Sequence, residues 1–249
     1  AAVSVETMKR HPSEVKIQQL CCGTIANIAN GDTRCLKAVV DAGAATPVVA
    51  AMKAFPREAD LLGDACLAIA NFASHKTGGG AEAMCDAGAI SFVVKAIHAH
   101  VDAAPKVRHW GAAALVNLAT SDGESKETLI EEGGVGAAVR ILEDCPIDEV
   151  NALRMAAGTL THMANFDEAG RREVGAVGGV AAAAKSMSIA DDVTLVEECL
   201  RAVASMVFAA ESDFRNVGIT PIIENILLRF PTEAKVQEMG RALLMRVGH

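Results

Sequence analysis

Residues 32–73 read DTRCLKAVVDAGAATPVVAAMKAFPREADLLGDACLAIANFA, and they contain one complete copy of a unit that recurs along the chain. Its apolar residues recur with a helical period, which predicts three helices: Thr33 to Ala42, Ala44 to Ala54, and about Glu58 to Ala73. Gly43 separates the first two helices, where glycine is favoured because it adopts positive φ without strain. Pro56 follows the second helix, where a proline ends one helix and can open the next.

The same unit recurs along the chain. Successive glycines in the phase of Gly43 are 45, 45, 45 and 40 residues apart, and four copies have a proline in the phase of Pro56. The glycines are Gly43, Gly88, Gly133, Gly178 and Gly218, and the prolines are Pro12, Pro56, Pro146 and Pro231. A period of this size is typical of a solenoid of stacked helical repeats, which presents a long surface.

The third helix of each copy can be aligned on one position that lies between two apolar ones. The aligned residues are Asn27, Asn71, Asn117, His162, Ser205 and Met245. Two residues before them stand Ile25, Ile69, Leu115, Leu160, Val203 and Leu243, which are predicted to be core. We therefore expect six copies of the second and third helices, with the first helix absent from the first copy. The approximate repeats are 1–30, 31–74, 75–120, 121–165, 166–208 and 209–249, in one domain over 1–249.

This unit resembles the armadillo repeat. The likeness lies in VDAGA at 40–44, CDAGAI at 85–90, AIANFA at 68–73 and ALVNLA at 114–119. The resemblance covers nearly the whole chain and implies an all-α fold, a right-handed α-α superhelix. It also implies that the third helices line a concave groove for extended partner segments. In that groove Asn27, Asn71 and Asn117 would hold the partner's backbone.

One feature departs from the importin-α-like members of that family. Those members carry a Trp four residues before the aligned Asn, which builds a ladder of pockets for basic peptides. In this chain Gly23, Leu67, Ala113 and Gly158 hold that position. We therefore do not expect the chain to bind nuclear-import signals; the bare floor would let a partner helix or backbone come close.

A helical wheel predicts which residues face a partner. The aligned position and those 4, 8 and 11 residues before it lie within roughly 80° of one another. This face is polar, and its Lys and Arg outnumber its Asp and Glu although the net charge of the chain is −8. The expected partner is therefore an extended or helical protein segment with acidic groups. The candidate partner-binding residues are Asn27, Asn71, Lys106, His109, Trp110, Asn117, Asn151, Arg154, His162, Arg201 and Arg241.

Each of these assignments has a plainer alternative. The face as a whole could be solvated without a ligand. The asparagines could link stacked repeats instead of clamping a partner, since Asn is a poor residue for the middle of a helix. Trp110 could pack in the core or act as a binding hot spot. His162 could make the site sensitive to pH or simply replace Asn as a hydrogen-bonding group.

Several function classes are disfavoured by the sequence. The acidic net charge argues against a nucleic-acid partner, and no apolar run approaches the ~20 residues of a membrane-spanning helix. The seven cysteines include no C-x-x-C pair, which is typical of reduced core thiols in an intracellular protein. His98 and His100 lie some 200° apart on a helix, so no metal site is expected. The glycines at 78–80 lack the Gly-Lys-Ser/Thr of a phosphate loop.

We therefore expect a cytoplasmic, non-enzymatic scaffold or adaptor without a cofactor, which binds a partner segment in a peptide-binding groove. One alternative is a regulator of a chaperone or of myosin, as some armadillo proteins are. A second alternative is an adaptor that tethers an organelle or membrane, with an acylated N-terminal extension that this chain does not contain. That protein would act on the cytosolic face of an organelle.

Overall fold

The computed structural model describes residues 1–121, 123–207 and 217–247, and all helices and turns below belong to these ranges. The described chain contains sixteen α-helices and no β-strand. It divides into two compact units, Ala1–Gly134 and Val135–His249. The single solenoid expected over 1–249 remains a prediction.

The helices follow the predicted order of three per copy. Those of the first unit are α1 (Ala2–Arg10), α2 (Val15–Ala29), α3 (Thr33–Asp41), α4 (Ala45–Ala54), α5 (Ala59–Ala73), α6 (Gly80–Asp86), α7 (Ala89–His100), α8 (Pro105–Ala119) and α9 (Gly123–Glu131). Those that lie essentially in the second unit are α10 (Gly134–Asp144), α11 (Val150–Ala164), α12 (Glu168–Ala176), α13 (Gly179–Ile189), α14 (Val193–Met206), α15 (Ile219–Arg229) and α16 (Ala234–Val247). The first helix expected in the sixth copy lies largely outside the described residues.

Within residues 32–73 the prediction is confirmed to within one residue at each helix end, since α3, α4 and α5 occupy the expected segments. The four prolines act as expected: α1, α4, α10 and α15 each end two residues before one of them. All five periodic glycines have positive φ, between 63° and 80°. A Cβ atom added at any of the five would meet no heavy atom within 4 Å, so glycine is needed there for its backbone conformation and not for space.

Aspartate side chains cap the N-termini of three helices. The carboxylate of Asp32 accepts hydrogen bonds from the backbone N–H groups of Arg34 and Cys35, both at 3.0 Å. Asp167 and Asp192 accept equivalent bonds at the starts of α12 and α14. Such caps satisfy N–H groups that have no partner within the helix.

The predicted core stripe is confirmed. In the first five copies the aliphatic residue two positions before the aligned one is fully buried, and Leu243, predicted for the sixth copy, is 1% exposed. The third helices of each unit pack side by side: α5 lies against α2 and α8, and α14 lies against α11 and α16. Small side chains permit this close packing. At Gly111, for example, a Cβ atom would stand only 2.9 Å from a side-chain carbon of Ile97.

Candidate functional site

The candidate site lies on the third helices. We call the side of α2, α5 and α8 that carries Asn27, Asn71 and Asn117 the first-unit face. We call the side of α11, α14 and α16 that carries Arg154 and Arg201 the second-unit face. None of the eleven candidate residues is buried. Those that are exposed are Asn27, Asn151, Arg154, His162, Arg201 and Arg241, and those that are half-buried are Asn71, Lys106, His109, Trp110 and Asn117.

The asparagines form a ladder across the first-unit face. Asn71 Nδ2 donates a 2.9 Å hydrogen bond to the backbone carbonyl of Ala26 in α2. Asn117 Nδ2 donates a 2.8 Å bond to the carbonyl of Ala70 in α5. Each acceptor is the residue just before the aligned Asn of the preceding copy. The Nδ2 group of Asn71 and that of Asn117 therefore each link two stacked repeats, which is the alternative to partner binding given above.

The other half of each amide is available. Among the described residues, no group donates to Oδ1 of Asn71 or Asn117, and Asn27 makes no side-chain hydrogen bond at all. Each Nδ2 carries two N–H groups and uses one of them, so Asn71 and Asn117 present an acceptor, Oδ1, and one remaining N–H. Asn27 presents both a donor and an acceptor. The row is therefore suited to accept N–H groups, such as those of a partner's backbone.

Asp64 joins the three third helices of the first unit and neutralises one of the predicted cations. Its Oδ1 lies 2.7 Å from Lys106 Nζ of α8, and its Oδ2 accepts a 3.1 Å hydrogen bond from Gln19 Nε2 of α2. The Asp64 side chain is 15% exposed and that of Lys106 is 37% exposed. The expected surplus of positive charge is therefore absent here. The wheel missed Asp64 because that residue lies seven positions before Asn71, just outside the counted face, yet its carboxylate reaches across.

His109 and Trp110 stand at the margin of the first-unit face, on α8. Their rings contact edge to face, with centroids 4.5 Å apart. Trp110 is half-buried, which agrees with the mixed residue types found at its position in other copies. A half-buried Trp leaves an apolar ring face within reach of a ligand. The half-buried position of Trp110 is compatible with both predicted roles, packing in the core and contact with a ligand.

The cations of the second-unit face are also partly neutralised. Arg201 Nη1 lies 2.6 Å from Glu198 Oε2, with side chains 50% and 17% exposed, and Lys235 Nζ lies 3.8 Å from Glu197. Arg154 is exposed and has no carboxylate within 4 Å among the residues described, although its charge contributes, after hydrogen bonds from Thr194 and Leu195, to lowering the pKa of Asp192. At Arg154 the second unit therefore keeps a guanidinium group that an incoming carboxylate can contact.

The last third helix is shifted by one residue from the alignment drawn from the sequence. Helix α16 begins at Ala234, twelve residues before Arg246, and the five other third helices likewise begin twelve residues before their aligned position. Gln237 donates to two carbonyls at the end of α15, as Gln18 does at the end of α1. Because Gln18 lies nine residues before Asn27, this equivalence also selects Arg246.

Arg246, and not Met245, therefore holds the aligned position of the sixth copy, and that part of the alignment was wrong. Leu243 and Leu244 are adjacent, so the apolar pattern fitted either register equally well. Arg241 lies five residues before the aligned position instead of four. It is exposed and donates a 2.9 Å hydrogen bond to Gln237 Oε1.

Neither a metal-binding cluster nor a membrane-spanning helix is found in the described ranges. Across residues 1–121, 123–207 and 217–247, no three His, Cys, Asp or Glu side chains are placed to hold a metal ion. His100, one of the two histidines considered for a metal site, instead has its ring nitrogen Nε2 3.0 Å from the carbonyl oxygen of Pro56. None of the described helices combines the length and apolarity that crossing a membrane would take. Helices α3 and α4 reach them only jointly, with a 67° bend between the two.

Solved structures provide the comparison for this geometry. A computationally designed armadillo repeat protein for modular peptide recognition is 21% identical, with a TM-score of 0.83 over 98% of both chains. A designed armadillo repeat protein in complex with the peptide (KR)4 is 21% identical, with a TM-score of 0.80 over 99% of this chain and 98% of that one. An engineered protein from a structural genomics consortium is 24% identical, with a TM-score of 0.82 over 99% and 96%.

These likenesses establish that the chain has an armadillo-type repeat fold, all-α and of the kind seen in designed peptide-binding repeat proteins. No protein-family profile and no curated protein matches the sequence. At identities of 21–24% the likeness concerns the fold. The chemistry of the two faces depends on this chain's own residues.

Proposed function

We propose that this protein is a non-enzymatic scaffold or adaptor that binds a segment of a partner protein along the third-helix faces. The observation that carries the proposal is the row of accessible amide oxygens at Asn27, Asn71 and Asn117. A row of acceptors spaced from helix to helix can bind successive backbone N–H groups of an extended segment without reading its sequence. The peptide-binding designed proteins of the same fold support this use of the fold.

The partner segment is proposed to carry acidic groups where it crosses the second-unit face. Arg154 supports this part of the proposal because it is exposed and has no carboxylate within 4 Å among the described residues. An arginine can bind a carboxylate through two parallel hydrogen bonds. On the first-unit face, by contrast, Asp64 neutralises the charge of Lys106, so an acidic group would gain little from binding there. The preference for acidic partners is thus proposed for the second unit alone.

The cytoplasm is the proposed location. All seven cysteines lie in the described ranges, where no disulfide joins any of them, and five are buried. Cysteines persist as thiols in compartments kept reducing, where disulfides are rare. The thiols of Cys22, Cys66 and Cys199 have pKa values raised to about 12 by burial, so they serve as small apolar core residues.

Asn27 offers the sharpest test, because its amide supports nothing in the described structure. Peptides would be selected from a random display library against the wild-type chain, and their affinities measured by fluorescence anisotropy. We expect Asn27→Ala to weaken binding by about tenfold, the loss of two hydrogen bonds, with no loss of stability. Asn225→Ala, at an exposed Asn of the second helix α15, is the matched control and should bind as wild type does.

The acidic preference is tested on the same peptides. Replacing their Glu and Asp by Gln and Asn should weaken binding to the wild type and have little effect on binding to Arg154→Ala. Binding of the acidic peptides should also weaken as salt rises. Peptides that bind Asn27→Ala and wild type equally well would refute the use of the first-unit face. Insensitivity to Arg154→Ala would refute only the acidic preference.

A further inference from the structure

A cavity of about 400 Å³ lies between the second helices α1 and α4 of the first unit. Most of its wall is apolar. The wall includes Met8, Lys9, Pro12, Gln18, Pro47 and Ala50. The cavity is distinct from the third-helix faces, because nearly all of its wall comes from α1, α4 and the residues next to them.

The next copy shows why space is left here. In α7, Phe92 and Lys95 hold the positions that Pro47 and Ala50 hold in α4, four and seven residues after the periodic glycine. Lys95 Nζ lies 4.9 Å from the centre of the Phe92 ring, so an aromatic ring and a cation are stacked there. In α4 both are replaced by small side chains. The cavity therefore opens at the place where the next copy carries a ring and a lysine stem.

A polar side chain lies in the wall of the cavity. Gln18 is 3% exposed, and its Nε2 donates to the carbonyls of Met8 and His11 at 2.9 and 2.8 Å. No described residue donates to its Oε1. In the equivalent Gln237 the same oxygen accepts a 2.9 Å bond from Arg241. Because Gln18 Oε1 is not a buried unsatisfied atom, it is accessible, and it can accept a hydrogen bond from a ligand in the cavity.

A cation stands on the wall as well. Lys9 is exposed and forms no ion pair with any residue in the described ranges. An ammonium group near an aromatic ring is attracted to the ring face, as at Lys95 and Phe92. The wall thus combines apolar surface for a ring, an acceptor for a donor on that ring, and a cation suited to its face.

We propose that this cavity binds an aromatic ring that carries an N–H or O–H donor, such as an indole or a phenol. The ring packs against the exposed wall residues Pro12, Ala50 and Ala54, its donor bonds Gln18 Oε1, and Lys9 lies over its face. We assign the ring to a small molecule, because a volume of about 400 Å³ is typical of small-molecule sites. A Trp or Tyr side chain of a partner protein is the alternative source and is tested separately. The site does not depend on the function proposed for the third-helix faces.

Isothermal titration with indole and with 1-methylindole tests the site on the whole chain. Indole should bind the wild type, and 1-methylindole should bind about fivefold more weakly because it lacks the N–H donor. Ala50→Lys places in α4 the lysine that α7 carries and should weaken indole binding by at least about tenfold. Ala50 is exposed, so this change leaves the core intact. Ala38→Lys, at an exposed position of α3, is the matched control and should bind indole normally.

Gln18→Leu provides an independent readout, since the equivalent residue of the next copy is Leu62. In this variant indole and 1-methylindole should bind equally.

N-acetyl-tryptophanamide distinguishes the two sources: binding at the affinity of indole assigns the site to a partner's side chain, and exclusion assigns it to a small molecule. Failure of wild type to bind indole, or equal binding by wild type and Ala50→Lys, would overturn the proposal. If Gln18→Leu does not fold, the Ala50→Lys and Ala38→Lys pair still decides.

Discussion

The side-chain amide of Asn117 donates a 2.8 Å hydrogen bond to the backbone carbonyl of Ala70, the residue just before Asn71. Asn71 repeats the contact with Ala26, the residue just before Asn27. One residue type at one helical position thus links neighbouring copies through its nitrogen and leaves its oxygen accessible. Stacking and partner binding use different atoms of the same side chain.

Asn117→Ala should therefore reduce the free energy of unfolding by about 1 kcal/mol, the typical net value of one such bond. Asn27→Ala should leave stability unchanged or raise it slightly, because the Asn27 side chain bonds no described residue and Ala favours a helix. Urea denaturation of the two variants measures the difference. Equal destabilisation by both would show that the interhelical bond does not act as described.

Gly88 has a φ of +74°, and no heavy atom lies within 4 Å of the position that a Cβ atom would take, so only its backbone conformation requires glycine. Gly88→Ala should destabilise the protein by about 1 kcal/mol, and Gly88→Asn by less. At Gly136, inside α10, a Cβ atom would have an ordinary neighbour at 3.9 Å, and Gly136→Ala should be neutral or stabilising. Thermal denaturation compares the three. A stabilising Gly88→Ala would contradict the explanation for the periodic glycines.

The Asp64–Lys106 pair lies on a half-exposed surface, so its net contribution should be small. Asp64→Asn should lower the free energy of unfolding by at most about 1 kcal/mol, and the loss should shrink at high salt. Urea titrations at low and high ionic strength measure it. Glu6→Gln, which removes the exposed Arg10–Glu6 pair, is the control and should have no measurable effect. A larger loss that salt does not change would identify Asp64 as a packing residue instead.

Thiol reactivity should follow burial. Cys35 is exposed and should be alkylated by iodoacetamide first, whereas Cys22, Cys66 and Cys199 should resist until the protein unfolds. Mass spectrometry of the digested protein after timed labelling gives the order. Rapid labelling of Cys66 in the folded protein would contradict the burial described.

The same thiols predict a loss of stability in alkali. Their pKa values are about 12 in the folded chain and 9.0 when unperturbed, so the unfolded chain releases these protons first as pH rises. The contribution of these protonated thiols to the free energy of unfolding is fully present below pH 9, the unperturbed pKa. It is lost as pH rises towards 12, the pKa in the folded chain. Cys66→Ala should show a shallower decline in urea denaturation across this range. An unchanged slope would exclude Cys66 as the cause.

The repeat architecture could be predicted from the sequence because it depends on local signals. The glycine and proline periods mark helix ends, and the 3.6-residue pattern marks the buried stripe, so α3, α4 and α5 were placed within one residue. In the sixth copy the same pattern gave an alignment that was wrong by one residue. Leu243 and Leu244 are adjacent, and the apolar pattern cannot choose between two neighbouring leucines.

The chemistry of the candidate site was less predictable because it depends on contacts between helices. The Asp64–Lys106 pair joins residues on different helices, which a single helical wheel cannot relate. That no described residue donates to the amide oxygen of Gln18 is seen only once α1 and α2 are packed. The asparagine row was found from its position alone. The division of each amide between a repeat contact and an accessible acceptor required the packed structure.

An NMR titration of the chain labelled with 15N at asparagine only tests directly whether the row of asparagines binds a partner. On addition of a display-selected peptide, the side-chain amide signals of Asn27, Asn71 and Asn117 should shift together. That of Asn225, an exposed residue of the second helix α15, should stay in place. A shift at Asn225 with the three ladder signals unmoved would contradict the claim that the row of asparagines binds the partner.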